Sequence, residues 1–465
     1  MARHSLLRSF ALAVLLFGAV WVAVIAYWRM NNHVPSGADA ALYLLALPLI
    51  LLGAFVLIRL GLKTAKRDTQ ETGEDAAHSD NDADQESVSS AHTLSVLAVH
   101  ALFASGGSPA ELAEATKDIP PPMPHPVLRD SHGMPIFAAE IEGIDTEAVD
   151  TSLPDTAQGW NPSYKRTLWL TETLALRLLE AHFEALRDTA SSAQAQTPLL
   201  QVEWLPPMRW NDAERKVAHH WLADRLAAHG WASPQLQLET RSCAANACIW
   251  QRLNEINHAC NTSLTAPPHL LMASDSFLDE TLCTNWETQN RLYNARRPEG
   301  VLPGEGAAAV MLAAPGTHGL TELARLSKVF VAERGQAVDM PQRLQADTLR
   351  DLIKQTLTAY GLDDDAPARL VSDTDLRASR NGEALHLAEQ VLPERDPIDA
   401  LLALGVGNGE CGTSLALALV AVAAHLTGDS QQPHMVVSHA DPLIRAVGAV
   451  IPAAAEPATP SPSLA

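Results

Sequence analysis

The chain has 465 residues, 47% of them hydrophobic and 19% charged, with a formal net charge of −21. Residues 1–67 hold seven Lys and Arg against Asp39 alone, so the remainder carries about −27 and repels a phosphate backbone, which excludes nucleic-acid binding. The five cysteines, Cys243, Cys248, Cys260, Cys283 and Cys411, form no C-x₂-C pair. Their number and spacing speak against structural zinc and against a small disulfide framework, so reduced thiols in a cytosolic body are expected.

From Ser9 to Trp28 twenty residues pass without a charge, and from Ala40 to Ile58 nineteen. Each is long enough to cross about 30 Å of hydrocarbon as a helix. Trp21, Tyr27, Trp28 and Tyr43 supply interfacial anchors, and Pro48 a kink that membrane helices tolerate. A second apolar stretch so soon after the first, with no small-residue cleavage site between, argues against a signal peptide. Arg3 and Arg8 precede the first span, Arg59, Lys63, Lys66 and Arg67 follow the second, and only Arg29 lies between. The positive-inside rule therefore predicts a multi-pass anchor with both termini and the main body in the cytoplasm. Neither span carries a mid-depth acid–base pair, so a pump or transporter has no support. Residues 1–67 are thus a two-helix membrane anchor. Residues 68–92 are an acidic disordered linker, with eight Asp and Glu between Asp68 and Ala91, no Lys or Arg, and almost no large apolar side chain.

The body opens with a buried strand over Leu94–Leu102, an extended Pro120–Pro124 run and a strand over Pro135–Ile141. A helix is predicted from about Ser163 to Arg187, with Leu168, Leu174, Leu178, Phe183 and Leu186 mainly on one face. Leu199–Trp204 is a strand closed by Pro206-Pro207. Asn211 and Glu214 form a capping box for a helix that Gly230 stops; its His219 and His220 lack an acid partner at ligand spacing and are surface or packing residues. Strand Leu236–Leu238, a helix from about Asn246, and strands near 270 and 310 follow. After a helical link the pattern recurs: strand Lys328–Ala332, helix Arg343–Tyr360, strand Arg369–Ser372, helix Gly382–Val391, strand Leu401–Gly405, helix Thr413–Leu426, and strands His434–Ser438 and Leu443–Ile451. Strand–helix alternation ending in two consecutive strands thus occurs twice, near 198–312 and 328–451. That predicts an α/β body of two similar βα halves with mixed sheets, 93–325 and 326–455, before a disordered tail at 456–465.

Three stretches carry a family resemblance. Pro303-Gly304-Glu305-Gly306-Ala307-Ala308-Ala309-Val310-Met311-Leu312 delivers a turn and a run of small residues into an apolar strand, where another layer can approach the backbone. Leu270-Leu271-Met272-Ala273-Ser274-Asp275 is a strand ending in a turn. Leu404-Gly405-Val406-Gly407-Asn408-Gly409-Glu410-Cys411-Gly412-Thr413-Ser414 is a Gly-rich turn opening an Ala/Leu helix. In order and spacing these resemble the β-ketoacyl synthases of the thiolase fold over roughly residues 93–455.

That resemblance implies a nucleophilic thiolate at a helix start, near Cys248, and two imidazoles that hold the substrate oxygen. Ile249 and Trp250 stand where small residues would leave room for an acyl chain. The first imidazole is implied in the turn Ser372-Asp373-Thr374-Asp375, which has none, and the second near Asn408, which cannot act as an acid or base near pH 7. Asp373 has the wrong charge to stabilise an oxyanion. Cys248, Asp373 and Asn408 are therefore vestigial site candidates, with no catalytic, cofactor or metal residue expected. Cys411 is a small packed residue, the Gly405–Gly409 turn lacks the phosphate-loop pattern, and no G-x-S-x-G elbow occurs.

With its two spans, polar linker and degenerate body, the chain resembles the type VI lipase adapter family. This implies a non-catalytic cytoplasmic adapter or chaperone anchored as a multi-pass protein in the inner (cytoplasmic) membrane of a Gram-negative bacterium. Its partners would be a lipase or phospholipase effector and the secretion spike protein, with no cofactor. By analogy with the fold, a homodimer through sheet edges is also implied. The alternatives are a divergent membrane-tethered acyl-thioester enzyme using Cys248, and a pseudoenzyme subunit that stabilises an active ketosynthase.

Overall fold

The residues 92–119, 122–191, 200–231, 236–243, 247–263, 266–316, 321–339 and 346–453 are described by a computed structural model, without the side chains of 183–191. The two apolar N-terminal stretches, the acidic linker, the tail and the Phe183 and Leu186 side chains lie outside the described residues.

Thirteen strands and eleven α-helices follow in chain order among them. The first half comprises β1 (Leu94–Phe103), α1 (Pro109–Ala115), β2 (Met123–Arg129), β3 (Pro135–Ala138), α2 (Thr146–Ser152), α3 (Pro162–Ser191), β4 (Leu200–Leu205), α4 (Asp212–Ala228), β5 (Leu236–Thr240), α5 (Cys248–Thr262), β6 (His269–Ser276), α6 (Glu280–Thr288) and β7 (Glu305–Ala313). The second comprises β8 (Ala324–Leu326), β9 (Phe330–Glu333), α7 (Asp347–Tyr360), β10 (Leu370–Ser372), α8 (Ala378–Val391), α9 (Pro397–Ala400), β11 (Leu401–Ala403), α10 (Leu404–Asn408), α11 (Thr413–Ser430), β12 (His434–Ser438) and β13 (Ile444–Pro452).

Eleven strands make one mixed sheet in the order β11-β10-β12-β13-β8-β1-β7-β6-β4-β5, with β9 also on β13. Its two ends repeat each other. Outward from the joint, the first half runs β1, β7, β6, β4, β5 and the second β8/β9, β13, β12, β10, β11. In both, the last strand in sequence is antiparallel to its neighbours and the outer strands are parallel. The halves join through antiparallel β1 and β8, with Leu94 opposite Leu326 and Val96 opposite Ala324. The halves therefore share one continuous sheet, because β1 and β8 leave no free edge between them.

Burial on both faces explains the apolar runs. Along β7, Ala308, Val310 and Leu312 join one core while Ala307, Ala309, Met311 and Ala313 join the other, the period of two expected of a strand sandwiched by helices. The first core also takes α5, α11 and residues of the second half such as Val371, Val436 and Val450. Among the described residues α11 alone is long and apolar enough to cross a membrane, but it is mostly buried and packs under strands of both halves. The opposite faces carry α3 and α4 in the first half and α7 in the second.

Several expected elements differ. A strand, β8, stands within the link expected to be helical, and the strand predicted over Lys328–Ala332 is the short β9. The strand predicted over Leu401–Gly405 ends at Ala403, and Leu404–Asn408 forms a helical turn instead, in which only glycine fits at 405, since a Cβ there would lie 2.6 Å from the Asp373 and Thr374 carbonyls. Helix α6 separates β6 from β7, and β2 and β3 form a two-stranded ribbon off the main sheet. The expectation of five reduced thiols is corrected: Cys243 and Cys248 form a disulfide across the β5–α5 connection, while Cys260, Cys283 and Cys411 are free and buried.

Each half buries a carboxylate among cations. Glu203 on β4 accepts from Arg252 and lies 3.2 Å from His269 Nε2. Glu383 on α8 accepts from Arg334 at 2.8 Å and Arg445 at 2.9 Å, all nearly or wholly buried. Burial pushes both carboxyls up. The imidazole hydrogen bond and the guanidinium outweigh it in each case and hold them down at about 2. His434 is driven to about 4, chiefly by burial.

Two outcomes are expected. Gly304→Ala should destabilise the chain by roughly 3 kcal/mol, since its Cβ would lie 1.9 Å from the Asn408 carbonyl oxygen. The atoms nearest a Cβ at Gly306 belong to the Phe103 ring, so Phe103→Leu should partly restore the melting temperature of Gly306→Ala but not that of Gly304→Ala. Second, the unfolded chain takes up protons near 6.5 at His434 and 4.5 at Glu203 and Glu383, whereas the folded chain resists until about 4 and about 2. Denaturant midpoints should therefore fall as pH drops below 6.5 and fall more steeply below 4.5. Glu383→Gln, which strands Arg445 and Arg334, should cost about 3–5 kcal/mol at neutral pH in the same assay.

Candidate functional site

The Gly-rich turns bring the two halves together at one point. Gly304 N–H donates to the Glu410 carbonyl at 3.1 Å, and Glu410 N–H donates to the Leu302 carbonyl at 2.8 Å. Gly409 and Gly412 hold φ of 66° and 61°, the left-handed region that favours glycine. Beside this bridge lies a cavity of about 30 Å³, room for a water molecule or two, lined in part by Ala247, Trp250, Asp373, Asp375, Glu410 and Asp441.

Of the three sequence candidates, Asp373 lines this cavity, while Cys248 and Asn408 sit one residue from lining residues. Each is engaged. Cys248 opens α5, where a helix N-terminus would favour a thiolate, but its sulfur is bonded to Cys243. Asp373 caps the turn after β12, accepting from Ser438 Oγ at 2.6 Å and from the His439 and Ala440 N–H groups at 2.8 and 3.1 Å. Asn408 is buried; its amide accepts from Ser105 N–H at 2.9 Å and donates to the Leu404 carbonyl at 2.8 Å. Trp250 and Ile249, at the start of α5, are fully packed into the core.

Acids dominate the surroundings. Burial pushes the Asp275 and Glu410 carboxyls up, with Arg209 and Arg377 respectively opposing the shift. Cys411 is buried, donates to the Asn408 carbonyl at 3.1 Å, and has its thiol pushed far up by burial and then by Glu410, Asp275 and Glu305. Glu305, the acid of the Pro-Gly-Glu-Gly turn, is wholly buried and satisfied by Arg166, Ile141 N–H and Ser276 Oγ. Negative charge developing on a bound carbonyl oxygen would meet carboxylates here rather than donors.

One histidine missed in the sequence stands behind this wall. His439 Nε2 lies 2.8 Å from Ser372 Oγ and 2.6 Å from Thr374 Oγ1, and His439 Nδ1 lies 3.3 Å from Glu383 Oε2. The hydroxyl–imidazole–carboxylate order is that of a nucleophile with its base, but Ser372, Thr374 and His439 are all wholly inaccessible. His439 follows β12, sixty-seven residues after Ser372, and only the parallel pairing of β10 with β12 makes them neighbours. His219 and His220 lie on α4, bonded to Thr240 Oγ1 and the Lys216 carbonyl respectively.

No family model matches the sequence, and no curated protein matches it. Solved structures do. The ishigamide ketosynthase/chain length factor is 16% identical with a TM-score of 0.52, covering 77% of this chain and 99% of its own. A β-ketoacyl synthase from Burkholderia phymatum STM815 is 13% identical with a TM-score of 0.51, over 78% of this chain and 99% of its own. The ketosynthase from module 6 of the bacillaene synthase of Bacillus subtilis 168 is 10% identical with a TM-score of 0.53, over 77% and 72%. The body of this chain has the thiolase-like fold of the ketosynthases.

Proposed function

We propose that the chain is a pseudoenzyme of the thiolase-like fold that works by binding protein, as a membrane-anchored cytoplasmic adapter. It would bind a type VI secretion lipase effector and help load it onto the secretion spike. The observation that carries the non-catalytic part is the occupation of the pocket. Trp250 is packed at the lining, Asp373 caps a turn, and about 30 Å³ remains among carboxylates. An acyl chain needs a cavity more than ten times larger. The adapter part rests on the layout of apolar stretches and acidic linker and on the degenerate turns.

Affinity purification of the full-length chain from membranes, with identification of what co-purifies, tests this reading. A lipase and a spike protein are expected; recovery of a ketosynthase alone would instead make the chain a stabilising subunit.

A second reading has one observation in its favour. Cys248 is the first residue of a fifteen-residue helix, so a dithiol reductant would free a thiol at a helix N-terminus. After reduction, iodoacetamide labelling of Cys248 together with acyl-thioester turnover abolished by Cys248→Ala would establish an enzyme and sink the adapter proposal. No turnover is expected. A fluorophosphonate probe should likewise leave Ser372 unlabelled in the folded chain and mark no peptide around it by mass spectrometry.

A further inference from the structure

Away from the cavity, helix α4 forms one wall of an open groove of about 570 Å³. Its lining residues Ala213, Lys216, Val217, His220, Trp221 and Arg225 recur at helical spacing, so the groove follows one face of α4 for about 18 Å at 1.5 Å per residue. The facing wall is the corner Ser152-Leu153-Pro154 after α2. Trp221 is a rigid floor, nearly buried, with its indole N–H donated to Ser152 Oγ at 2.9 Å. Val217, Leu153 and Pro154 complete an apolar track.

The charges along the track are unequal. Arg225 is engaged by Glu172 at 2.6 Å, and Asp224 lies beside it at the far end. At the near end Arg215 pairs with Asp212, and Glu214 is held by the Asn211 cap and the Tyr164 hydroxyl. Lys216 is exposed and has no ion pair among the described residues. It sits in the first turns of a seventeen-residue helix, at the positive end of the dipole. In a body that carries about −19 once the acidic linker is set aside, one end of an apolar track thus presents an uncommitted cation.

We propose that this groove is the docking track for a short partner segment that sets an apolar side chain on Trp221 and Val217 and a carboxylate on Lys216. The proposal rests on the adapter reading and names where on the body the partner protein binds. An acid next to an apolar anchor complements the groove in charge and shape, whereas a basic segment would find only Asp224, beside Arg225, to meet it.

The test uses the full-length chain and the protein that co-purifies with it. A photo-crosslinking phenylalanine analogue is placed at Ala213, on the groove lip, and separately at Met134, on the exposed β2–β3 ribbon. Crosslinking is expected at 213 and not at 134. Lys216→Glu should weaken binding of the purified partner about tenfold or more, with an unchanged melting temperature, while Lys216→Arg binds as before. Replacing the crosslinked partner carboxylate by Lys should restore binding to Lys216→Glu. If the partner co-purifies but crosslinks only at 134, or binds Lys216→Glu as tightly as wild type, the groove assignment is wrong and the adapter reading stands. If only a ketosynthase co-purifies, the adapter reading fails and the groove's occupant with it.

Discussion

Two backbone hydrogen bonds, exchanged by Leu302, Gly304 and Glu410, hold the turn of one half against the turn of the other. Nothing bulkier than hydrogen fits at position 304, where the Asn408 carbonyl and the Cys411 sulfur close in. Glu305 must then be buried, and Arg166, Ser276 and Ile141 are drawn in to satisfy it. The same approach puts the start of α5, the turn after β10, the start of α11 and the turn after β12 around one small cavity. The rest of the architecture is arranged to keep these turns in register.

At that convergence the polar and reactive side chains are tied to partners within the chain. A carboxylate caps a backbone turn, an amide staples α10 to the chain after β1, the Cys248 sulfur bridges to Cys243 five residues upstream, and an indole is packed at the lining. Each group therefore meets its bonding needs inside the chain, as buried polar groups generally do. The buried hydroxyl–imidazole–carboxylate set behind it shows that catalytic geometry without access is only a hydrogen-bond network.

Much of the scaffold was legible because its signals are local. The small-residue run that opens β7, the capping box of α4 and the continuous apolarity of α11 each state their structure within about twenty residues. The misses share a different cause. Strand β8 is three residues long and exists because β1 and β13 flank it, and α6 has an N-cap but a weak apolar face. His439 carries no motif, since its partners come from other strands and helices. The Cys243–Cys248 disulfide was missed because C-x₄-C spacing alone does not say whether two side chains face each other.

By itself the sequence determined the alternation of strands and helices, its recurrence, and the absence of histidine from the two turns where the resemblance placed it. Those are properties of residue type and order. Tertiary structure alone decided that the two halves share one sheet, that Cys248 is bonded, and that a distant histidine and glutamate meet a buried serine. Such facts depend on which strands pair and which side chains face one another, and pairing between distant segments follows from the packing of the whole chain.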